Sequence, residues 1–249
     1  MPNAEPSPEV RALAARLARA PSGALPRIAL DFGCWAALAL LGNAVGHPVA
    51  VVACAFVIGF VCQHSLLIHG HEAVHGLVSR RRPTNELALW LLHALFGTSG
   101  TLHRAFHLAH HRWTHEPRDP EYRIVHAISG GAAWGFLVLP AVAPLGLFVW
   151  AARTPRNARF WGRLARDGVG IAALHLLLIV AFGPVNYATW LVLPVLIGLG
   201  PAFTMRALSE HHGRPSADRW LRAGALKTPW VFASLWSNID HHLDRKSVV

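Results

Sequence analysis

Ten of the chain's seventeen histidines lie between His64 and His115. Five of them, His103, His107, His110, His111 and His115, fall within thirteen residues, and His71 and His75 precede them four residues apart. Residues three and four apart share a helix face, so each group can project its imidazoles into one volume. At about 100° per residue, the five from 103 to 115 would span an arc of roughly 140°. Neutral imidazole is a good ligand for zinc, copper, iron and nickel. A core helix has no use for so many polar rings on one side, so the stripe points to metal chemistry.

Within the first group, His71-Glu72-Ala73-Val74-His75 has the His-Glu-x-x-His spacing. In a zinc protease that spacing gives two zinc ligands and a general base. The second group, His107-Leu108-Ala109-His110-His111, favours another reading. A zinc protease needs three ligands and an open position, not a second dense cluster. Two groups of nitrogen donors on converging helices suit a pair of metal ions better.

The elements that would carry these groups are membrane helices. The hydrophobic fraction is 53% and only 14% of residues are charged, too apolar for an ordinary soluble domain. Apolar runs at Ile28–Val45, Val49–Ile68, Val169–Phe182 and Tyr187–Met205 approach the roughly 20 residues a helix needs to cross the bilayer. They predict an all-α integral membrane protein with two crossing hairpins, turning at Gly46-His47-Pro48 and Gly183-Pro184-Val185-Asn186.

Arginines cluster before the first run, after the second, across Arg153–Arg166 and after the last, whereas both short turns lack Lys and Arg. This positive-inside pattern places the arginine-rich segments, and with them every histidine group, in the cytoplasm. The net charge of +10 is explained by topology and contact with anionic lipid rather than by nucleic acid.

Glu86–Gly100 and the Pro140- and Pro144-containing stretch Ala132–Ala152 are expected to lie at the interface or re-enter on one side. Residues 1–26 are expected to form an amphipathic helix on the cytoplasmic leaflet, starting at Ser7-Pro8. Cys34, Cys54 and Cys62 have no Cys-x-x-Cys spacing and imply no disulfide framework. The whole chain, 1–249, is expected to be a single domain.

Taken together, His71-x-x-x-His75, His107-x-x-His110-His111 and Asp119-Pro120 resemble the membrane fatty-acid desaturase superfamily. That superfamily includes carotenoid ketolases and hydroxylases, and the similarity runs from the first span to about residue 243. The resemblance implies helices under a cytoplasmic cap holding two irons by histidine. Its chemistry would be O₂-dependent removal of hydrogen from an unactivated C–H of a membrane lipid. Electrons would come from a ferredoxin- or cytochrome-type partner.

By position, the resemblance implies metal ligands at His71, His75, His107, His110, His111, His211 and His242. Glu72 and Asp119 would accept hydrogen bonds from ligand imidazoles. His103 and His115 share the stripe outside the box, where each would either support a ligand imidazole or simply lie at the interface. His64, His69 and His93 are not expected in the site.

The third box departs from the pattern. Asn238-Ile239-Asp240-His241-His242 begins it, but Arg245 and Lys246 stand where two further histidines belong. A cation there cannot ligate iron and would repel it, so the chain as written reads as incomplete for di-iron chemistry. One reading is an inactive metal-binding membrane protein. Another is that Asp244–Val249 is not native. Asp-Arg-Lys-Ser-Val-Val can be encoded by GAT CGG AAG AGC GTC GTG, a common sequencing-adapter sequence.

Overall fold

In a computed structural model the backbone is described for residues 24–113, 116–122 and 135–211, and side chains for 24–113, 116–122 and 143–206. The described residues form helices and turns without a strand. Four helices are long and apolar enough to cross a membrane: α1 (Ala24–Val45), α2 (Pro48–Val74), α6 (Ala158–Phe182) and α7 (Pro184–Arg206, its last turn reaching His211). Between the two hairpins lie α3 (Arg82–Ala94), α4 (Gly100–Trp113) and α5 (Gly135–Ala152).

The four expected crossings are all present, and two boundaries move in an informative way. The second span does not stop at Ile68 but runs on to Val74, so a transmembrane helix itself delivers His71, with His75 as its C-cap. The third begins at Ala158, capped by Asn157, whose side chain accepts from the Phe160 amide. Its arginine-rich first turns are thus helix rather than loop.

The segment Glu86–Gly100 holds the later turns of α3, a turn at residues 95–99 and the first residue of α4. Pro83 lies in the first turn of α3, where its missing N–H costs nothing, and Gly97 (φ 66°) turns the chain into α4. The amphipathic helix expected over residues 1–26 falls on residues 1–23 outside the described residues, and residues 24–26 belong to α1.

The hairpins are joined at backbone contact distance. A Cβ on Gly59 of α2 would stand 2.1 Å from the Pro194 carbonyl oxygen, and one on Gly198 of α7 would stand 2.4 Å from that of Phe56. Without a hydrophobic force between helices in lipid, such close approach is what packing rests on. Both helices loosen into π-turns here, at Ile58–Gln63, Ala188–Val192 and Val195–Leu199.

Such turns free backbone groups that lipid cannot satisfy. Side chains from the other hairpin meet two of them. Trp35 donates to the Trp190 carbonyl (2.8 Å) and Gln63 to that of Leu191 (3.0 Å). Trp190 in turn donates to Asn43 (3.0 Å) and its ring lies against Gly42, where a Cβ would be 2.2 Å away.

Contacts with α6 hold α3 and α4. His175 donates from Nε2 to the Ala94 carbonyl (2.9 Å), so its Nδ1 accepts from the Tyr187 hydroxyl (2.8 Å). Asp167 accepts from the Thr101 amide (3.1 Å) and the Ser99 hydroxyl, placing a carboxylate at the positive end of α4. Leu102 and Phe106 pack on Leu147 and Ala151 of α5, which turns the opposite face of α4, with its histidines, toward α2.

A candidate metal centre

His71 and His75, from the end of α2, meet His107 and His111 of α4. One ring nitrogen from each lies within 4.8 Å of every other. His107 is the hub. Its Nε2 is 2.9 Å from Nε2 of His75 and 2.7 Å from Nε2 of His111, and its ring centroid is 4.2 Å from that of His71. His71 and His107 are buried, His75 and His111 half-buried. Burial, reinforced by the neighbouring imidazoles of His71, His111, His103 and His75, holds His107 well below the usual imidazole pKa. It is therefore neutral and able to ligate.

The donor set fits an imidazole-seeking transition metal. Metal–nitrogen bonds of about 2.0–2.1 Å in a tetrahedron separate the nitrogens by roughly 3.3 Å. Seating an ion would open the closest pairs by about half an ångström.

His110, of the same box, stands beside this group with its ring centroid 6.1 Å from that of His107. Its Nδ1–H donates to the buried Asp119 carboxylate at 2.9 and 3.0 Å, leaving Nε2 as the ligating nitrogen. Asp119 thus accepts from an imidazole of the second box. Asp119→Asn is expected to weaken metal binding at His110 by about 10–100-fold. Competition with a chromophoric chelator checks this, and an unchanged affinity would show that the carboxylate has no hold on the ligand.

Glu72 makes a contact that the spacing did not foresee. Its carboxylate accepts from Nδ1 of His69 at 3.0 Å, and Nε2 of His69 faces Asp31 of α1 at 4.0 Å. Arg27 reaches Asp31 at 3.3 Å. The first box is thus tied to the first span by a buried string of charged and polar groups. Two signals were present in the sequence: an acid inside an apolar run, and a His–Glu pair three residues apart.

His211 ends α7, but its side chain lies outside the described residues, as do His115 and all of His242. Beside the cluster, His75 borders an open cavity of about 740 Å³ walled by Arg80, Arg82, Asn85, Glu86 and Arg104. Asn85 organises this wall, accepting from the Val78 and Ser79 amides at 3.0 and 3.1 Å. Arg104 and Glu86 pair through two 2.9 Å hydrogen bonds.

Spanning helices in two hairpins, with a nest of imidazoles gathered at the end of one span, define a multi-pass membrane protein with a histidine-rich centre. The sequence profile of the fatty acid desaturase family matches residues 46–244, and the chain belongs to that family. No curated protein matches it.

Proposed function

We propose that the protein is an oxygen-dependent di-iron oxidoreductase that desaturates or hydroxylates an acyl chain of a membrane lipid. The observation that carries this reading is the convergence of His71, His75, His107 and His111 at the end of a membrane span, in a chain of this family. Histidines 71, 75, 107, 110 and 111 would hold iron, joined by His211 and His242. Bound there, iron would supply the O₂ activation needed to attack an unactivated C–H bond.

For desaturation the balance is one O₂, two electrons and two protons, with –CH₂–CH₂– becoming –CH=CH– and two waters leaving. The chain's own groups set up that chemistry. His107 gathers its neighbours, Asp119 fixes the tautomer and direction of His110, and Leu102 and Phe106 seat α4 on α5. Arg80 and Arg82 at the cavity beside His75 suit the docking of an acidic ferredoxin- or cytochrome-type electron donor. The arginine distribution supports a cytoplasmic site, and a bacterial inner membrane is the location proposed.

A carotenoid ketolase or hydroxylase of the same superfamily is the nearest alternative. The zinc-protease reading would aim Glu72 at a metal-bound water, and its carboxylate is instead 3.0 Å from His69.

The test is expression of the chain with Arg245→His and Lys246→His, completing the third box, in a host with a defined fatty-acid profile. New unsaturated or hydroxylated acyl chains that require O₂ and vanish with His110→Ala are expected. Keto-carotenoids in a carotenoid-making host would move the substrate to the alternative. Unchanged lipids and pigments would favour a metal-binding protein without this activity.

A further inference from the structure

His93 and His103 had no role in the ligand pattern, yet the structure pairs them in the seam between α3 and α4. Their ring centroids are 4.2 Å apart and the rings are tilted by 40°. His93 is 1% exposed. Its Nδ1–H donates to the Leu89 carbonyl at 2.8 Å, which commits the ring's proton there and leaves a lone pair on Nε2. That nitrogen is buried without a hydrogen-bond partner, and so is Nε2 of His103.

A buried acceptor left unsatisfied costs about 1–3 kcal/mol, and apolar side chains of similar size would fill the seam without that cost. The backbone also makes room for the ring. A Cβ on Gly70 would lie 2.9 Å from Cε1 of His93, closer than carbon atoms approach. An imidazole whose Nδ1–H is anchored on a backbone carbonyl, with a bare Nε2, is the arrangement that metal-ligating histidines adopt. The pair also continues the main cluster, since the His103 ring lies 5.9 Å from that of His107 and within 5° of parallel.

We infer that His93 and His103 form an accessory nitrogen-donor site for a first-row transition-metal ion, adjoining the four-imidazole cluster but separate from it. The inference rests on the metal reading of that cluster. Two protein ligands leave the remaining positions to water. The Arg206 guanidinium acts on His103 as a nearby positive charge. The accessory site therefore binds more weakly than the cluster and fills after it.

The experiment is titration of the chelator-stripped, detergent-purified full chain with cobalt(II), followed by visible absorption and by bound-metal analysis. Wild-type protein should show a tight class and a weaker one. His93→Gln and His103→Gln should each lose one equivalent, or raise the half-saturating cobalt concentration of the weaker class more than 10-fold, with the tight class intact. His107→Gln should damage the tight class.

Unchanged stoichiometry and spectrum in both seam variants, with wild-type protein binding cobalt, would overturn this inference alone and leave water as the occupant. Wild-type protein that binds no cobalt would overturn the metal reading of the main cluster as well. If His93→Gln fails to fold, His103→Gln, at a partly exposed residue, gives the same readout.

Discussion

His107→Ala should yield a folded protein that has lost the metal held between the two boxes. With the third box completed, the proposed lipid oxidation should fall by at least about 10²-fold. His107 makes the shortest contacts of the cluster. Its Nε2 meets His75 at 2.9 Å and His111 at 2.7 Å, and its ring meets His71 at a centroid distance of 4.2 Å. Removing it deletes one donor and lets the other three drift from a common centre.

The loss should appear as bound iron or cobalt per chain, measured by elemental analysis on protein whose helicity by circular dichroism is unchanged. Leu108→Ala, one residue along on the outer face and 40% exposed, should keep its metal and serves as the control. Full metal content in His107→Ala would mean that the four imidazoles are a hydrogen-bonded core and nothing more.

Gly59→Val should be the most damaging substitution outside the cluster. The Cβ alone would stand 2.1 Å from the Pro194 carbonyl oxygen and 2.8 Å from the Gly198 Cα. Both are backbone atoms, which cannot swing aside as a side chain can. Overpacking an ordinary core costs about 1–3 kcal/mol. A clash with the backbone of α7 at several atoms should reach or exceed the top of that range.

The expected result is a sharp fall in monodisperse protein on detergent size exclusion and a lower unfolding midpoint. Gly162→Val is the comparison, since nothing lies within 4 Å of a Cβ there. Equal behaviour of the two variants would show that the hairpins do not depend on this crossing.

The sequence reading was strongest where a local period carries the information. Apolar runs of membrane length announced the four spans. The spacings 71/75 and 107/110/111 announced two imidazole groups, of which His71, His75, His107 and His111 converge in space. Asp119 follows the second box closely in sequence, and its carboxylate lies on His110.

The reading weakened wherever distant segments decide. Nothing local at Asp31 says that it will meet His69, because the two belong to different helices of a hairpin. His93 looked like an interfacial residue in an apolar stretch, and only the docking of α3 on α4 reveals its partner. The start of α6 carries arginines, which sit comfortably on the solvated turns of a helix that later enters the bilayer. The π-turns leave no pattern in composition, since they arise from the demand that two backbones touch.

Those turns also bear on how the protein is made. Gln63 is fully buried and its Nε2 donates to a carbonyl 128 residues further on. At about 5–20 residues per second, roughly 6–26 seconds separate the synthesis of the two partners. During that interval the first hairpin sits in the bilayer with a polar amide, and His64 beside it, waiting for its counterpart. The nascent chain therefore needs an escort through this interval, whether lingering contact with the insertion machinery or water kept at the half-built seam. Slowing translation between α2 and α7 should lengthen the exposure and send more of the chain to quality-control proteolysis.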